Sequence, residues 1–197
     1  MGASPETLLS KHGIHIETEA LAGSIAAGRD PAMQAETLQQ SKKELTEHHF
    51  VREDIVGKLI PLCGSIRAPD KPQIKSLKHL LHLHTPIQAQ LRHPTHVLDL
   101  MERLHPTPAV GGTPVEAALK LIAKYESISR GFYAGPIGWF TPQGDGCFAV
   151  ALRSALLDAQ SAWVYAGAGI VAESDARQEY KETELKQQTM LQIMQQS

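Results

Sequence analysis

Gly167-Ala-Gly-Ile-Val-Ala-Glu-Ser-Asp-Ala-Arg-Gln-Glu-Tyr-Lys-Glu-Thr-Glu-Leu-Lys186 is the stretch around which this chain is organised. A run of small residues gives way to a helix start at Ser174 or Asp175, with Gln178 three residues beyond Asp175 in capping-box spacing. Within that helix Glu179, Glu182 and Lys186 fall at i, i+3 and i+7 and share one face. Two carboxylates and an ammonium just beyond a glycine turn have the chemistry to hold a divalent cation and an anionic ligand together. The same spacing also describes a solvated face with a Glu182–Lys186 pair contributing roughly 0.2–0.5 kcal/mol. Spacing alone favours the solvated face.

Working outward, composition bounds the possibilities. A chain of 197 residues is long enough to bury a core. Apolar content of 42% with 20% charged residues suits a globular protein. A formal net charge of −2 gives no support to nucleic-acid or membrane-surface binding. Cys63 and Cys147 are far apart and unpaired in spacing, which points away from a disulfide framework or zinc knuckle. No apolar run approaches the roughly 20 residues needed to span a bilayer, and Met1-Gly-Ala-Ser-Pro-Glu6 lacks the pattern of a signal peptide. A reduced, cytoplasmic protein is expected.

Taken in order, His15-Ile-Glu-Thr-Glu-Ala-Leu21 alternates as a strand and is expected to end in a turn at Ala22-Gly23-Ser24. Asp30-Pro31 reads as an N-cap and first helical residue, opening one long helix to about Leu59. Leu38, Leu45 and Val51 or Ile55 mark its apolar side, and Glu44 and Glu47 lie one turn apart on a polar one. Residues 67–72 read as a linker. His79, His82 and His84 tempt a metal reading, but His82 and His84 share a face only in a strand, and His79 and His82 only in a helix. Partly buried imidazoles on a short element are the expectation. A helix ends at Leu104, followed by the turn-rich His105-Pro-Thr-Pro-Ala109-Val-Gly-Gly-Thr-Pro114 and a further helix to about Glu126. From Arg130 onward a β region is expected, with a hairpin at Gly144-Asp-Gly146 and strands at Phe148–Leu152 and Ala162–Tyr165. Gly167-Ala-Gly169 lacks the third glycine of a dinucleotide fingerprint, and neither a P-loop nor a nucleophile elbow is present.

These segments together resemble the chorismate-utilising enzymes, a family that includes isochorismate, salicylate and anthranilate synthases. The resemblance is carried by Ala3-Ser-Pro-Glu6, Leu21-Ala-Gly-Ser24, the helix ending Glu47-His48, and Leu104-His-Pro-Thr-Pro-Ala109. It continues through Arg130-Gly-Phe-Tyr-Ala-Gly-Pro-Ile-Gly-Trp139, Arg153, Gly167-Ala-Gly-Ile-Val171 and Glu179-Tyr-Lys-Glu-Thr183 with Lys186. Leu21-Ala-Gly-Ser24 and His105-Pro-Thr-Pro-Ala109 lean toward the isochorismate synthases of menaquinone and siderophore biosynthesis. The resemblance implies an α/β fold in which antiparallel sheets pack face to face with helices outside. It also implies an isomerase that adds water at C2 of chorismate and expels the 4-hydroxyl, with salicylate- or anthranilate-synthase chemistry or a non-catalytic remnant as the alternatives.

By the same resemblance, Glu47 and Glu182 hold Mg²⁺ against the ring carboxylate, with Glu44 and Glu179 as supporting acids. Arg153 and Lys186 pair with substrate carboxylate, while Gly23, Ser24, Ala109 and Gly167 offer backbone or small side chains to the substrate. Glu6 is the implied general acid. The family's water-activating lysine belongs to an N-terminal part that this sequence does not contain, and Lys11, Lys42 and Lys43 do not match it. Residues 1–197 therefore read as the C-terminal part of a chorismate-binding domain. Family proteins of full length are expected to be monomeric, whereas this portion is expected to leave strand edges uncovered, to self-associate and to turn over poorly.

Overall fold

Two antiparallel strands of 12 residues, β2 (His15–Ala26) and β5 (Leu80–Leu91), form the centre of the main sheet. In this computed structural model, which describes residues 1–195, β1 (Thr7–His12) turns back onto β2 through Gly13, whose φ of 58° suits glycine. Beyond β1 come β7 (Gly146–Val150) and, at the edge, β6 (Pro136–Phe140). On the other side, β3 (Cys63–Arg67) and β4 (Gln73–Ser76) pair with successive parts of β5. The described residues thus form a seven-stranded antiparallel sheet in the order β3-β5-β2-β1-β7-β6, with β4 also on β5. A separate hairpin joins β8 (Ser154–Leu157) to β9 (Ala162–Tyr165). The expected class, α/β with antiparallel sheets and helices, is the observed one, although the two sheets are very unequal.

Side-chain alternation gives the sheet two different faces. Ile16, Ala20 and Ala22 of β2 and Ile87, Ala89 and Leu91 of β5 belong to the main core. Against them pack Val51, Ile55 and Leu59 of α2 (Lys42–Leu59) and Val97, Leu100 and Leu104 of α3 (Val97–Leu104). Those α2 residues fall at i, i+4 and i+8, the stripe an amphipathic helix buries. A smaller cluster places Leu38 of α1 (Pro31–Gln40) on Leu81 and Leu83. The opposite face presents Glu19, Leu21 and Ser24 across from Pro86, His84 and His82. That face is the polar one.

Two local readings need correcting. Residues 31–59 form two helices, because Ser41 is extended (φ −70°, ψ 111°) and its Oγ accepts the Glu44 N–H to cap α2. Ala22-Gly23-Ser24 continues β2 through a shift in register rather than ending it. His82 and His84 lie on β5, so the strand alternative holds for them. His48, polar yet buried on α2, is accommodated because its ring nitrogens lie 3.2 Å from Ala22 O and 2.8 Å from Thr85 Oγ1. The turn-rich loop contains cis peptides at His105–Pro106 and Thr113–Pro114 and a short helix α4 (Pro108–Gly111), leading into α5 (Val115–Tyr125). After β9 the chain enters α6 (Ala176–Gln195), capped as expected by Asp175 Oδ1, which accepts the Gln178 N–H. Gln196 and Ser197, the end of the Gln-rich tail, lie outside the described residues. Among the described residues no helix is long and apolar enough to cross a membrane, and both cysteines are free.

The edge strand β6 is exposed throughout, with Ile137 at 64% and Trp139 at 60% of full exposure on one face. An unpaired apolar edge is a template for association. Trp139→Lys should therefore slow the growth of light scattering in concentrated solution several-fold, with circular dichroism unchanged. An equal rate would remove the edge as the cause.

Candidate active site

The polar face gathers its groups around the irregularity in β2. Gly23 has φ 77°, and a Cβ there would meet the Glu44 backbone oxygen at 2.8 Å, so glycine is what lets the start of α2 sit against the strand. That approach brings Glu44 Oε2 to the Ser24 N–H at 2.8 Å. The Ser24 hydroxyl donates to Glu182 Oε1 at 2.8 Å, which ties α6 to the same point. Lys186 donates to Gly167 O at 2.9 Å and lies 2.5 Å from Glu182 Oε1. The helix-face pair foreseen from spacing therefore forms, but in a half-buried place rather than in open solvent.

Lys43, which sequence reasoning passed over, sits among the acids. Its Nζ lies 2.9 Å from Glu44, 2.8 Å from Glu179 and 3.8 Å from Glu47. Burial disfavours the ammonium, but its hydrogen bonds to Glu179 and Glu44 outweigh that and hold its pKa above the usual lysine range. Four carboxylates and the two ammoniums of Lys43 and Lys186 leave an excess of two negative charges when all are ionised. The strain shows at Glu47: burial, with Glu44 and Glu182 adding to it against Lys43, pushes its pKa up to about 7. Glu179 Oε2 is buried without a hydrogen-bond partner. Gly169 makes room for Glu47, since a Cβ at that position would lie 2.3 Å from Glu47 Oε1. Among the described residues no three His, Cys, Asp or Glu side chains are grouped to ligate one metal ion directly.

Next to this cluster lie Glu6 and Arg153. Glu6 is 4% exposed, and burial, with Glu19 as the next cause, pushes its pKa up to about 8 against the pull of Lys75, Lys186 and Arg153. Its carboxyl is therefore largely protonated at neutral pH. Arg153 is 8% exposed with its backbone in the left-handed region at φ 46°, a conformation costly for a residue with a side chain. Its guanidinium has no hydrogen bond or ion pair among the described residues, and burial draws its pKa below the usual arginine value. A buried cation without a fixed partner is expensive. It is placed to receive an anion.

His82, read from the sequence only as a partly buried imidazole, also stands at this site. It is buried, its Nε2 has no partner, and burial, followed by the charges of Lys186, Arg153 and Lys75, brings its pKa down to about 3. Tyr133 stacks on Tyr165 at 5.3 Å, and its hydroxyl would lie 3.0 Å from a Cβ at Gly167. The structure thus joins Ser24, Glu44, Glu47, Gly167, Glu179, Glu182 and Lys186 directly, with Gly23 beneath them and Glu6 and Arg153 alongside. Ala109 is linked to none of these by a hydrogen bond; it lies on α4, packed against the main core.

Comparison with known proteins places the chain. A family model described as chorismate binding enzyme matches residues 1–195. The chain is 42% identical over 194 residues to the isochorismate synthase MenF of Bacillus subtilis, covering 97% of this chain and 41% of that protein. It is 44% identical over 193 residues to the salicylate biosynthesis isochorismate synthase of Pseudomonas aeruginosa, covering 96% and 40%. Among solved structures, a Bacillus anthracis protein described as a 2,3-dihydroxybenzoate-specific isochorismate synthase superposes with a TM-score of 0.94 at 41% identity, covering 100% of this chain and 54% of that one. The menaquinone-specific isochorismate synthase MenF of Escherichia coli gives 0.84 at 34% identity, covering 94% and 43%. The chain spans about half the length of these relatives, or less.

Glu6 offers a test of the site's electrostatics. Its folded pKa of about 8 lies above the ordinary carboxyl value of 4.5, so between those values the unfolded chain binds fewer protons. The stability tied to the buried neutral carboxyl is complete below the lower value and is lost as pH rises through the higher one. Glu6→Gln mimics the protonated form at all pH values. The stability of the wild-type chain relative to Glu6→Gln should fall between pH 5 and pH 8 by on the order of a few kcal/mol, since each pH unit is worth about 1.4 kcal/mol, and the wild-type melting temperature should drop relative to that of the variant over the same range. Parallel melting curves would show that Glu6 ionises normally.

Proposed function

The chain belongs to the chorismate-binding enzyme family, and from that premise we propose that it carries the acid and cation-binding part of an isochorismate synthase site. The observation that carries this reading is the buried Arg153, whose guanidinium has no hydrogen bond or ion pair among the described residues, together with the buried Glu6 carboxyl that acts on it electrostatically. Chorismate brings two carboxylates and a 4-hydroxyl that must leave. Arg153 and Lys186 pair with carboxylate, the arginine through its planar fork. Glu6, which holds its proton at neutral pH, donates it to the departing 4-hydroxyl while water adds at C2, so the overall change is an isomerisation. Gly23, Ser24, Ala109 and Gly167 line the substrate with backbone and small side chains.

The acidic cluster suits a hard divalent cation. Mg²⁺ typically retains several waters and takes one or two protein carboxylates. Glu47 and Glu182 would hold it, with Glu44 and Glu179 supporting through water. The orphaned Glu179 oxygen and the excess negative charge fit such an ion. When bound, Mg²⁺ supplies the positive charge that draws in the ring carboxylate of chorismate. For the base that activates water, Lys11 is committed to Asp145 at 2.7 Å and Lys43 to Glu44 and Glu179. Neither is free to serve as that base, and the relatives' roles point the product toward menaquinone or siderophore biosynthesis.

Incubating the chain with chorismate, Mg²⁺ and a polypeptide covering the other part of these relatives should yield isochorismate by chromatography. Fluorescent salicylate, or a requirement for ammonia, would assign the site to a sibling chemistry instead. Glu182→Gln should weaken Mg²⁺-dependent chorismate binding at least tenfold, as loss of a charged partner costs about 1.5–3 kcal/mol. Unchanged affinity would remove Glu182 from the metal.

A further inference from the structure

Glu6 lies just before β1, where the regular ladder has not yet begun, and the pairing of β1 with β7 shifts register between Thr7 and Leu9. Strand pairing reaches Glu6 through its carbonyl, which accepts the Val150 N–H of β7 at 3.2 Å, while its own N–H turns to Ser4 Oγ at 3.3 Å; side chains from other strands hold the peptides on either side of it. Lys75 of β4 donates to Pro5 O at 2.9 Å, immediately before Glu6. Glu19 of β2 accepts the Thr7 N–H at 2.7 Å through Oε1, immediately after it. The two side chains are themselves paired, with Lys75 Nζ donating to Glu19 Oε2 at 2.8 Å, and His84 Nε2 of β5 lies 2.7 Å from that same oxygen. Three neighbouring strands thus bracket one residue.

We infer that Glu19 and Lys75 are positioning residues for Glu6: their ion pair clamps the peptides before and after it and sets a fixed negative charge beside its carboxyl. The inference rests on the reading of Glu6 as the general acid for its catalytic meaning, but not for its geometry. The groups whose charge acts on Glu6 are Glu19 from β2, Lys75 from β4, Lys186 from α6 and Arg153 before β8. Of these only Glu19 favours the protonated acid, and it is well suited to do so. Burial works against its ionisation, yet hydrogen bonds from His84, Lys75 and the Thr7 N–H outweigh burial and bring its pKa down to about 2. A carboxylate that stays ionised keeps its neighbour neutral, because two like charges in one low-dielectric space repel. The clamp also separates two tasks that one residue could not perform, since Glu19 is spent on backbone and cations while Glu6 keeps its proton available.

The test needs no substrate. In the 197-residue chain labelled with ¹³C at glutamate carboxyls, with Glu6 assigned through Glu6→Gln, the Glu6 midpoint should fall by about one pH unit in Glu19→Gln. In Lys75→Met, amide exchange at Thr7 should accelerate roughly tenfold or more relative to Ser10 on the same strand, as a bond involving a charged group is lost; Lys75→Arg should restore protection. An unmoved Glu6 midpoint in a folded Glu19→Gln chain overturns the inference. So does exchange that rises equally along β1 in Lys75→Met, which would mark a merely structural pair. If the midpoint and the exchange behave as stated while Glu6→Gln still converts chorismate in the complemented enzyme, the clamp stands and the general-acid reading fails.

Discussion

Holding charge out of water on one face of a sheet is the constraint on which the rest of the structure depends. Glu6, Glu179 and Arg153 are each less than a tenth exposed. Isolated burial of such groups would cost several kcal/mol apiece. The chain meets that cost unevenly. Lys43 and Lys186 are matched to acids, and Ser24 adds two hydrogen bonds. Arg153 and one oxygen of Glu179 stay unmatched, and Glu6 escapes by keeping its proton. What is left unsatisfied has a pattern: an unpaired cation, an unpaired acid oxygen and a neutral carboxyl that can donate. A ligand bearing carboxylates, with a divalent cation between it and the acids, supplies the missing partners.

Two breaks in regular structure make this face possible. If residues 31–59 were one unbroken helix, Glu44 would lie in its interior instead of beginning a new helix. The extended Ser41 restarts the helix so that its first turn meets β2. On the strand side, Gly23 removes the side chain that would collide with Glu44 O and shifts the register so that Ser24 faces the cluster. Each break would weaken an ordinary domain. Together they bring α2 and β2 to hydrogen-bonding distance at one point, and α6 reaches that point through Glu182.

Much of the framework was legible in the residues. Asp30-Pro31, Asp175 with Gln178, and the alternation of His15–Leu21 each carry a local rule that the fold obeys. The Ser41 break was not legible, because Gln40-Ser41-Lys42 contains neither Gly nor Pro and helical periodicity runs across it. The Ala-Gly-Ser turn failed for the opposite reason: small residues there serve close approach rather than chain reversal. The acids of the site could be named by resemblance but not ranked by spacing, since Glu182 and Lys186 would pair at i, i+4 on any exposed helix. Burial, which separates a site from a solvated face, depends on contacts between residues as distant as Ser24 and Glu182. Lys43 and Glu19 were missed as site residues because they look local and gain meaning only through partners on other elements.

The carboxylates on this face then sort by environment rather than by residue type. Glu19 receives three donors and is held ionised, while Glu6 is buried next to it and held neutral. Burial, with Glu44 and Glu182 adding to it and Lys43 only partly compensating, pushes the pKa of Glu47 up to about 7. Pairs of acids pushed apart in pKa by their surroundings are how one fold presents an acid and an anion at the same pH. Glu6 and Glu19 are such a pair, and they are linked through a single peptide: the Thr7 N–H that anchors Glu19 follows directly on Glu6. The arrangement that fixes where the acid stands is therefore the same one that keeps its proton in place.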